Sequence, residues 1–290
     1  MIVSDVNKRM PLPPDFHVEA LSLSFLKWRS AFSHRITWYD SPPPEPRSSL
    51  MSVKPTKAMV LAAGLGLRMR PLTDHMPKPL VPVAGRPLLD HVLDKLAAAG
   101  VSEAVVNVHY LGGQIIDHVA SRKSPRVIIS DERNQVLGTG GGVVKALPIL
   151  GDAPFFHLNS DTMWIDGVQS NLARLADAFD PARMDILLLM APTASSIGYN
   201  GRGDYSMLPD GALRKRREHQ VVPFVYAGAA IMSPSLFADA PKGEFSLTRM
   251  FDRANEQERL FGLRLDGVWM HVGTPDAVHA AEEAFLESVA

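Results

Sequence analysis

The chain has 290 residues, 46% of them hydrophobic, with a formal net charge of −1 and no cysteine. This length is enough for one large domain or two small ones, and the charge gives no reason to expect nucleic acid or a membrane surface as the main partner. The lack of cysteine excludes disulfide frameworks and thiolate metal sites. Since no apolar run approaches the roughly 18 residues that span a bilayer, we expect a soluble, cytoplasmic protein.

Residues 1–55 differ in composition from the rest of the chain. Proline clusters at 11–14 and 41–46 disfavour both helix and sheet. We therefore expect 1–55 to be a disordered N-terminal extension, followed by a single domain over 56–290. An alternative is that translation begins at Met51, just before the first predicted strand, and that the first 50 residues are a gene-model artefact.

From Lys57 onward, strand-like and helix-like segments alternate. The predicted strands are 57–64, 103–110, 126–130, 153–161, 184–190 and 221–232. The predicted helices are 88–100, 112–121, 140–150, 168–179, 246–257 and 275–288, and a hairpin is predicted over 204–216. Strands separated by helices of this length indicate right-handed crossovers. The pattern predicts an α/β fold: a Rossmann-like, doubly wound, mostly parallel sheet with helices on both faces and a smaller β-hairpin lobe.

The segment "LAAGLGLRMRPLTDHMPKPL", residues 61–80, follows the first strand. Ligands of open α/β sheets bind beyond the carboxyl ends of the strands. Gly64 and Gly66 let backbone N–H groups approach an anion, and Arg68 and Lys78 supply positive charge. The loop therefore predicts a polyphosphate ligand. The alternative is an ordinary glycine turn, since the loop lacks both the third glycine of a dinucleotide fingerprint and the ending of a Walker loop.

The whole string "LAAGLGLRMRPLTDHMPKPLVPVAGRPLL" resembles the signature of sugar-1-phosphate nucleotidyltransferases, with LAAG, G-x-R-M, PLT and PKP in order. The similarity extends over about 57–285. The segments "NVHYLGGQI", "LGTGGGVVKALP", "NSDTMW", "GDY" and "PFVYAG" most resemble the N-acetylmuramate-1-phosphate uridylyltransferase branch. The resemblance implies an enzyme that converts an NTP and a sugar 1-phosphate into an NDP-sugar and pyrophosphate.

The preferred substrates implied by this branch are UTP and N-acetylmuramic acid 1-phosphate, in cell-wall sugar recycling. One alternative is another substrate pair, such as mannose 1-phosphate with GTP, or glucose 1-phosphate with a uridine or thymidine nucleotide. A second alternative is a non-catalytic nucleotide-sugar sensor or regulatory subunit. Against that alternative, Arg68, Lys78 and Asp161 are all present.

The resemblance also implies roles for individual residues. The catalytic cations are Arg68 and Lys78. The expected nucleotide-binding residues are Leu61, Ala62, Ala63, Gly64, Gly66, Glu132, Thr139 and Gly140. The expected sugar-binding residues are Asn107, Asn159, Asp204, Tyr226 and Gly228. The basic run at 214–217 is interpreted as a solvated hairpin arm, with the alternative that one of its cations reaches the phosphate of the sugar.

Nucleotidyl transfer needs a divalent ion to neutralise the triphosphate. Asp161 ends a predicted strand where a metal ligand is expected, and a carboxylate suits Mg²⁺, with Mn²⁺ as an alternative. The family's second carboxylate lies in a W-x-D-x-G-T motif, where this chain has "WMHVGT" with His271. Three explanations stay open: His271 binds the metal, Asp266 substitutes for the missing acid, or phosphate and water complete the shell.

Overall fold

The structure, a computed structural model, describes residues 54–289. The predicted N-terminal extension lies outside these residues except at its last two positions, and the proposal for it stays a prediction. Among the described residues, no helix is long and apolar enough to cross a membrane.

The strands are β1 (Lys57–Leu61), β2 (Pro82–Val83), β3 (Arg86–Pro87), β4 (Glu103–Val108), β5 (Arg126–Asp131), β6 (Phe155–Asn159), β7 (Thr162–Asp166), β8 (Ile186–Pro192), β9 (Tyr205–Met207), β10 (Leu213–Lys215), β11 (Phe224–Met232), β12 (Leu260–Arg264) and β13 (Gly267–His271). The α-helices are α1 (Leu88–Ala98), α2 (Gly112–Val119), α3 (Gly138–Leu150), α4 (Asn171–Ala178), α5 (Thr248–Glu256) and α6 (Pro275–Val289).

A 9-stranded sheet forms the centre of the domain, in the order β10-β9-β11-β6-β1-β4-β5, with β8 beside β11 and β12 beside β8. Strands β1, β4, β5, β6, β8, β9 and β12 run in one direction, and β10 and β11 run in the other. The predicted α/β fold with a mostly parallel sheet is confirmed. Because β1, β4, β5 and β6 are parallel, their carboxyl ends meet at one edge of the sheet.

Both faces of the sheet are covered by helices, as the doubly wound prediction requires. In β1, Ala58 and Val60 pack into the cluster that contains α1, α2 and α4. Met59, which points to the opposite face, packs into the cluster that contains α3 and α5. All three side chains are fully buried. This burial on both faces explains why β1 reads as a continuous apolar run rather than an alternating one.

The hairpin β9–β10 forms one edge of this same sheet, because Tyr205 pairs with Phe224 of β11. Its turn includes Gly211, within the predicted hairpin 204–216.

Strands β2, β3, β7, β12 and β13 were not predicted from the sequence. β7 and β13 pair with each other apart from the main sheet, and Met163 and Met270 pack there with the buried face of α6. Strands of only five residues, such as β7 and β13, leave little periodic signal.

Candidate active site

The loop between β1 and the turn at Lys78 is held by contacts within itself and to the sheet edge. Thr73 Oγ1 donates to the carbonyl of Gly66 at 2.8 Å, and Tyr110 OH donates to the carbonyl of Thr73 at 3.0 Å. Gly66 has a φ of +65°, and a Cβ there would lie 3.1 Å from Thr73 Cγ2. The loop therefore needs glycine at position 66 for its own conformation.

A cavity of about 360 Å³ opens beside this loop, at the carboxyl edge of β1, β4, β5 and β6. The sequence predicted a polyphosphate ligand at this edge. The loop after β1 forms one wall of the cavity, and the segment that leads into α3 forms the opposite wall. Its lining comprises Leu61, Ala63, Gly64, Leu65, Lys78, Pro79, Asn107, Glu132, Val136, Gly138, Thr139, Asn159, Ser160 and Asp161.

Lys78 and Asp161 meet in this cavity. Lys78 Nζ lies 2.5 Å from Asp161 Oδ2, and the lysine side chain is only 11% exposed. Arg68, the other predicted catalytic cation, is exposed and is absent from the cavity lining. The structure thus brings Lys78 and Asp161 together and leaves Arg68 outside the cavity.

The predicted nucleotide-binding residues divide into two groups. Those that line the cavity are Leu61, Ala63, Gly64, Glu132 and Thr139. Those that do not are Ala62, Gly66 and Gly140. The Ala62 N–H donates to Asn107 Oδ1 at 2.7 Å, and the Gly140 N–H donates to the carbonyl of Phe245 at 2.9 Å. Both amides therefore already have partners inside the protein.

The glycine cluster before and within α3 is shaped largely by packing. A Cβ on Gly140 would overlap the ring of Phe245, and a Cβ on Gly138 would lie 2.7 Å from the Phe245 carbonyl oxygen. Thr139 Oγ1 accepts a hydrogen bond from the Leu247 N–H at 2.8 Å. The segment 245–247 thus lies directly against the start of α3, and only Gly138 and Thr139 of this cluster line the cavity.

The predicted sugar-binding residues also divide. Asn107 and Asn159 line the main cavity, whereas Asp204 and Tyr226 line a second cavity of about 210 Å³. Gly228 is in neither lining, and a Cβ there would be 3.2 Å from Asn159 Nδ2. The second cavity is also lined by Tyr205, Lys215, Arg216, Thr248 and Phe251.

Asp204 and Tyr226 are tied to each other and to the sheet. Asp204 Oδ2 accepts a hydrogen bond from the Tyr226 N–H at 3.0 Å, and Tyr226 OH lies 3.1 Å from His157 Nδ1. Burial raises the pKa of Tyr226, and burial lowers the pKa of His157 to about 4. Both side chains are therefore neutral near pH 7.

The two candidates for a second metal ligand lie at opposite ends of the β7–β13 pair. His271 pairs with Thr162, next to Asp161, whereas Asp266 precedes the end at which Gly267 pairs with Asp166. Burial lowers the pKa of His271, while the charge of Asp161 raises it. The structure therefore does not bring Asp266 to Asp161. Over residues 54–289, no group of three acidic, histidine or cysteine side chains forms a metal cage.

Several residues of the site carried no separate signal in the sequence. Val136 and Ser160 line the main cavity, and Tyr110 holds the loop through a contact 37 residues away in the chain. Ser160 could have been predicted as a site residue, because it lies between the predicted residues Asn159 and Asp161 at the end of a strand. Nothing in the local sequence around Tyr110 indicates its contact, which depends on the fold.

Comparison with known proteins gives one matching family profile and several similar enzymes. The profile of the MobA-like NTP transferase domain family matches residues 58–231. The N-acetylmuramate alpha-1-phosphate uridylyltransferase of Caulobacter vibrioides is 46% identical over 242 residues, which cover 82% of this chain and 100% of that protein. The enzyme of the same name from Neisseria meningitidis serogroup B is 34% identical over 75% of this chain and 93% of its own length.

Two solved structures share the fold at low sequence identity. A UDP-glucose pyrophosphorylase complexed with UDP-glucose has a TM-score of 0.64 at 15% identity, covering 81% of this chain and 99% of that chain. HddC from Yersinia pseudotuberculosis, complexed with GMP-PN, has a TM-score of 0.63 at 22% identity, covering 79% of this chain and 99% of that chain. With a family profile over most of the domain and two relatives above 30% identity, this chain belongs to the MobA-like NTP transferase domain family and is a sugar-1-phosphate nucleotidyltransferase.

Proposed function

We propose that this enzyme transfers a uridylyl group from UTP to N-acetylmuramic acid 1-phosphate. A phosphate oxygen of the sugar 1-phosphate attacks the α-phosphorus of UTP and forms a new P–O bond. The bond between that phosphorus and the oxygen bridging to the β-phosphate breaks, and pyrophosphate leaves with the electron pair. The product is the UDP-sugar, and the protein supplies no nucleophile.

The observation that carries this proposal is the Lys78–Asp161 pair inside the main cavity. A buried ammonium next to a glycine loop suits a phosphate, and it stabilises the negative charge that develops during phosphoryl transfer. We assign the catalytic role to Lys78, and we assign Arg68 to the phosphates from its exposed position on the same loop. The names of the two close relatives supply the choice of UTP and of the sugar.

The nucleotide is assigned to the main cavity. The loop residues Leu61, Ala63 and Gly64 would face the phosphates, while Ala62 and Gly66 maintain the conformation of the loop. On the other wall, Gly138 and Thr139 would face the base and ribose, Glu132 also lines the cavity, and the Gly140 amide ties that wall to Phe245. The open space at Gly64, where a Cβ would meet no atom within 4 Å, leaves room for close approach of a phosphate.

A divalent metal, Mg²⁺ or Mn²⁺, fits this donor set only if the nucleotide completes its coordination. Asp161 provides one carboxylate, which is 34% exposed and faces the cavity. Mg²⁺ in such sites is commonly held by one or two carboxylates together with substrate phosphates and water. When bound, the ion would neutralise charge on the triphosphate. We therefore assign Asp161 as its protein ligand, with phosphate and water as the remaining ligands.

The sugar is assigned to Asn159 of the main cavity, to Gly228 next to it, and to Asp204 and Tyr226 of the second cavity. N-acetylmuramic acid differs from other common amino sugars by a carboxylate on its lactyl group. Arg216 lines the second cavity, and its Nε donates to the carbonyl of Gly203 at 2.9 Å. Its Nη1 donates at 3.4 Å and 3.5 Å to the carbonyls of Arg217 and Gln220, and its Nη2 can donate to a carboxylate, which makes Arg216 the candidate that selects this sugar.

A pyrophosphate-release assay tests the proposal. Each of the four NTPs is combined with the 1-phosphates of N-acetylmuramic acid, N-acetylglucosamine, glucose and mannose. The proposal expects the highest kcat/KM for UTP with N-acetylmuramic acid 1-phosphate. A preference for GTP with mannose 1-phosphate, or for a pyrimidine nucleotide with glucose 1-phosphate, would overturn the substrate assignment. A cytoplasmic role in cell-wall sugar recycling belongs to the same proposal and depends on the same result.

A further inference from the structure

Two buried polar side chains lie at the floor of the main cavity. Asn107 is on β4 and Glu132 follows β5, and each residue is only 2% exposed. Because β4 and β5 are adjacent and parallel, the ends of the two strands lie side by side. Burial of a carboxylate this complete is costly unless hydrogen bonds satisfy its oxygens.

The hydrogen bonds that satisfy this pair form one continuous chain. The Ala62 N–H donates to Asn107 Oδ1 at 2.7 Å. Asn107 Nδ2 donates to Glu132 Oε1 at 2.9 Å, and the Leu137 N–H donates to Glu132 Oε2 at 3.3 Å. We call this chain the Asn107–Glu132 brace. It joins the backbone of the loop after β1 to the backbone that leads into α3.

Both ends of the brace are backbone N–H groups, which can only donate. Asn107 must therefore present its oxygen to Ala62 and its NH₂ group to Glu132. The side chain at position 132 must then accept a hydrogen bond at each of its two oxygens, and only a carboxylate offers two acceptors there. This requirement explains why an acid is buried at the floor of the cavity.

Helix α3 closes over the brace at Gly142. A Cβ at this position would lie 2.8 Å from Asn107 Nδ2 and 2.9 Å from Glu132 Oε1. The helix therefore packs directly against the two side chains, with glycine as the residue that allows it. This contact leaves the pair little freedom to adopt another arrangement.

We propose that Asn107 and Glu132 are positioning residues that hold the two walls of the nucleotide cavity at a fixed separation. One wall is the segment 61–64, and the other is 136–139. A site that is already shaped for its ligand loses less conformational freedom when the ligand binds. This inference rests on the proposed function, because it assumes that the cavity takes a nucleoside triphosphate.

Three variants test the brace: Glu132→Gln, Asn107→Asp and the double variant with both changes. Glu132→Gln places the new NH₂ group opposite a donor, either Asn107 Nδ2 or the Leu137 N–H. Asn107→Asp places two carboxylates, those of residues 107 and 132, against each other. In the double variant the new carboxylate accepts from Ala62 and from the new amide, whose oxygen accepts from Leu137. The chain of hydrogen bonds is complete again, with the same net charge.

The readouts are UTP affinity by calorimetry in the presence of Mg²⁺, kcat and KM, and Tm. Each single variant should bind UTP about tenfold more weakly or worse, and the double variant should return to within about threefold of wild type. Asp166→Asn is the control, since it removes the charge that pairs with Lys95 Nζ at 2.6 Å, outside the cavity. It should lower Tm without changing UTP affinity.

Two results would overturn the brace. If the double variant folds and stays as weak as the single variants, the glutamate contacts the nucleotide itself. If the single variants have a lower Tm but an unchanged UTP affinity, Asn107 and Glu132 stabilise the fold without positioning the nucleotide cavity. Because calorimetry uses UTP without sugar, a wild type that binds UTP but releases no pyrophosphate with any sugar 1-phosphate would contradict the proposed function and not the brace.

Discussion

Lys78 and Asp161 are 83 residues apart in the chain, yet their charged groups lie 2.5 Å apart at the carboxyl edge of the sheet. The turn at 78–80 supplies the cation, and the residues just after β6 supply the carboxylate. In this pair each charge compensates the other. A triphosphate and a divalent ion offer both groups alternative partners, so we expect substrate to exchange this pair for contacts with phosphate and metal.

Replacing Lys78 tests the catalytic cation. Lys78→Ala should lower kcat about 10²- to 10³-fold, because it removes a positioned positive charge from the transition state. Lys78→Arg keeps the charge and should retain more activity than Lys78→Ala. Steady-state kinetics measure the effect, and an unchanged circular dichroism spectrum checks the fold. A Lys78→Ala enzyme with nearly normal turnover would refute the assignment of this loop.

Replacing Asp161 tests the metal ligand. Asp161→Asn keeps the shape of the side chain but loses the charge that attracts Mg²⁺, so metal-dependent turnover should fall to background. Asp152→Asn is a suitable control, because Asp152 is exposed near the opposite end of β6. The measurement is turnover across a Mg²⁺ titration. Full Mg²⁺-dependent activity in Asp161→Asn would exclude Asp161 as the ligand.

His271 should not determine metal preference. Its ring packs against Trp269 at a centroid distance of 5.6 Å and against Tyr199 at 6.2 Å, and a Cβ on Gly273 would lie 2.5 Å from His271 Nε2. We therefore expect His271→Asp to leave the ratio of Mg²⁺ to Mn²⁺ activity unchanged. A wild type that prefers Mn²⁺, with His271→Asp shifting the preference towards Mg²⁺, would instead identify His271 as a ligand.

Arg216 should set the preference for an acidic sugar. Arg216→Met should lower the ratio of kcat/KM for N-acetylmuramic acid 1-phosphate over N-acetylglucosamine 1-phosphate by about tenfold or more, because a charge-assisted hydrogen bond is lost. Arg214→Met is the matched control, since Arg214 pairs with Glu258 and does not line the second cavity. Equal losses for both sugars would mean that Arg216 contacts the phosphate that they share.

Gly66 and Gly64 should respond differently to alanine. Gly66→Ala forces a side chain into a backbone with φ of +65° and against Thr73, so it should destabilise the protein by about 1–2 kcal/mol. Gly64→Ala meets no atom within 4 Å and should leave Tm unchanged while raising KM for UTP, because the added methyl group occupies the path of a phosphate. Thermal unfolding and steady-state kinetics separate the two effects. A loss of Tm in Gly64→Ala alone would reverse these assignments.

Local periodicity and local chemistry were enough to predict much of this protein. The alternation of apolar strands and helices predicted the α/β fold. A continuous apolar run indicates a strand that is buried on both faces, as in a parallel sheet with helices on each side. The glycines and Lys78 after β1, and Asp161 after β6, indicated a phosphate and metal site at one sheet edge. Each of these predictions used the residues of one local segment and the strand that precedes it.

The tertiary structure decided what depends on residues far apart in the chain. It placed Asp204 and Tyr226 in a cavity separate from that of Asn107, and it turned the Gly140 amide towards Phe245. It also separated Asp266 from Asp161 by the length of the β7–β13 pair. Such contacts follow from the order of strands in the sheet and from packing between helices and loops. Neither is encoded in the local periodicity of the chain, so only the folded structure determines them.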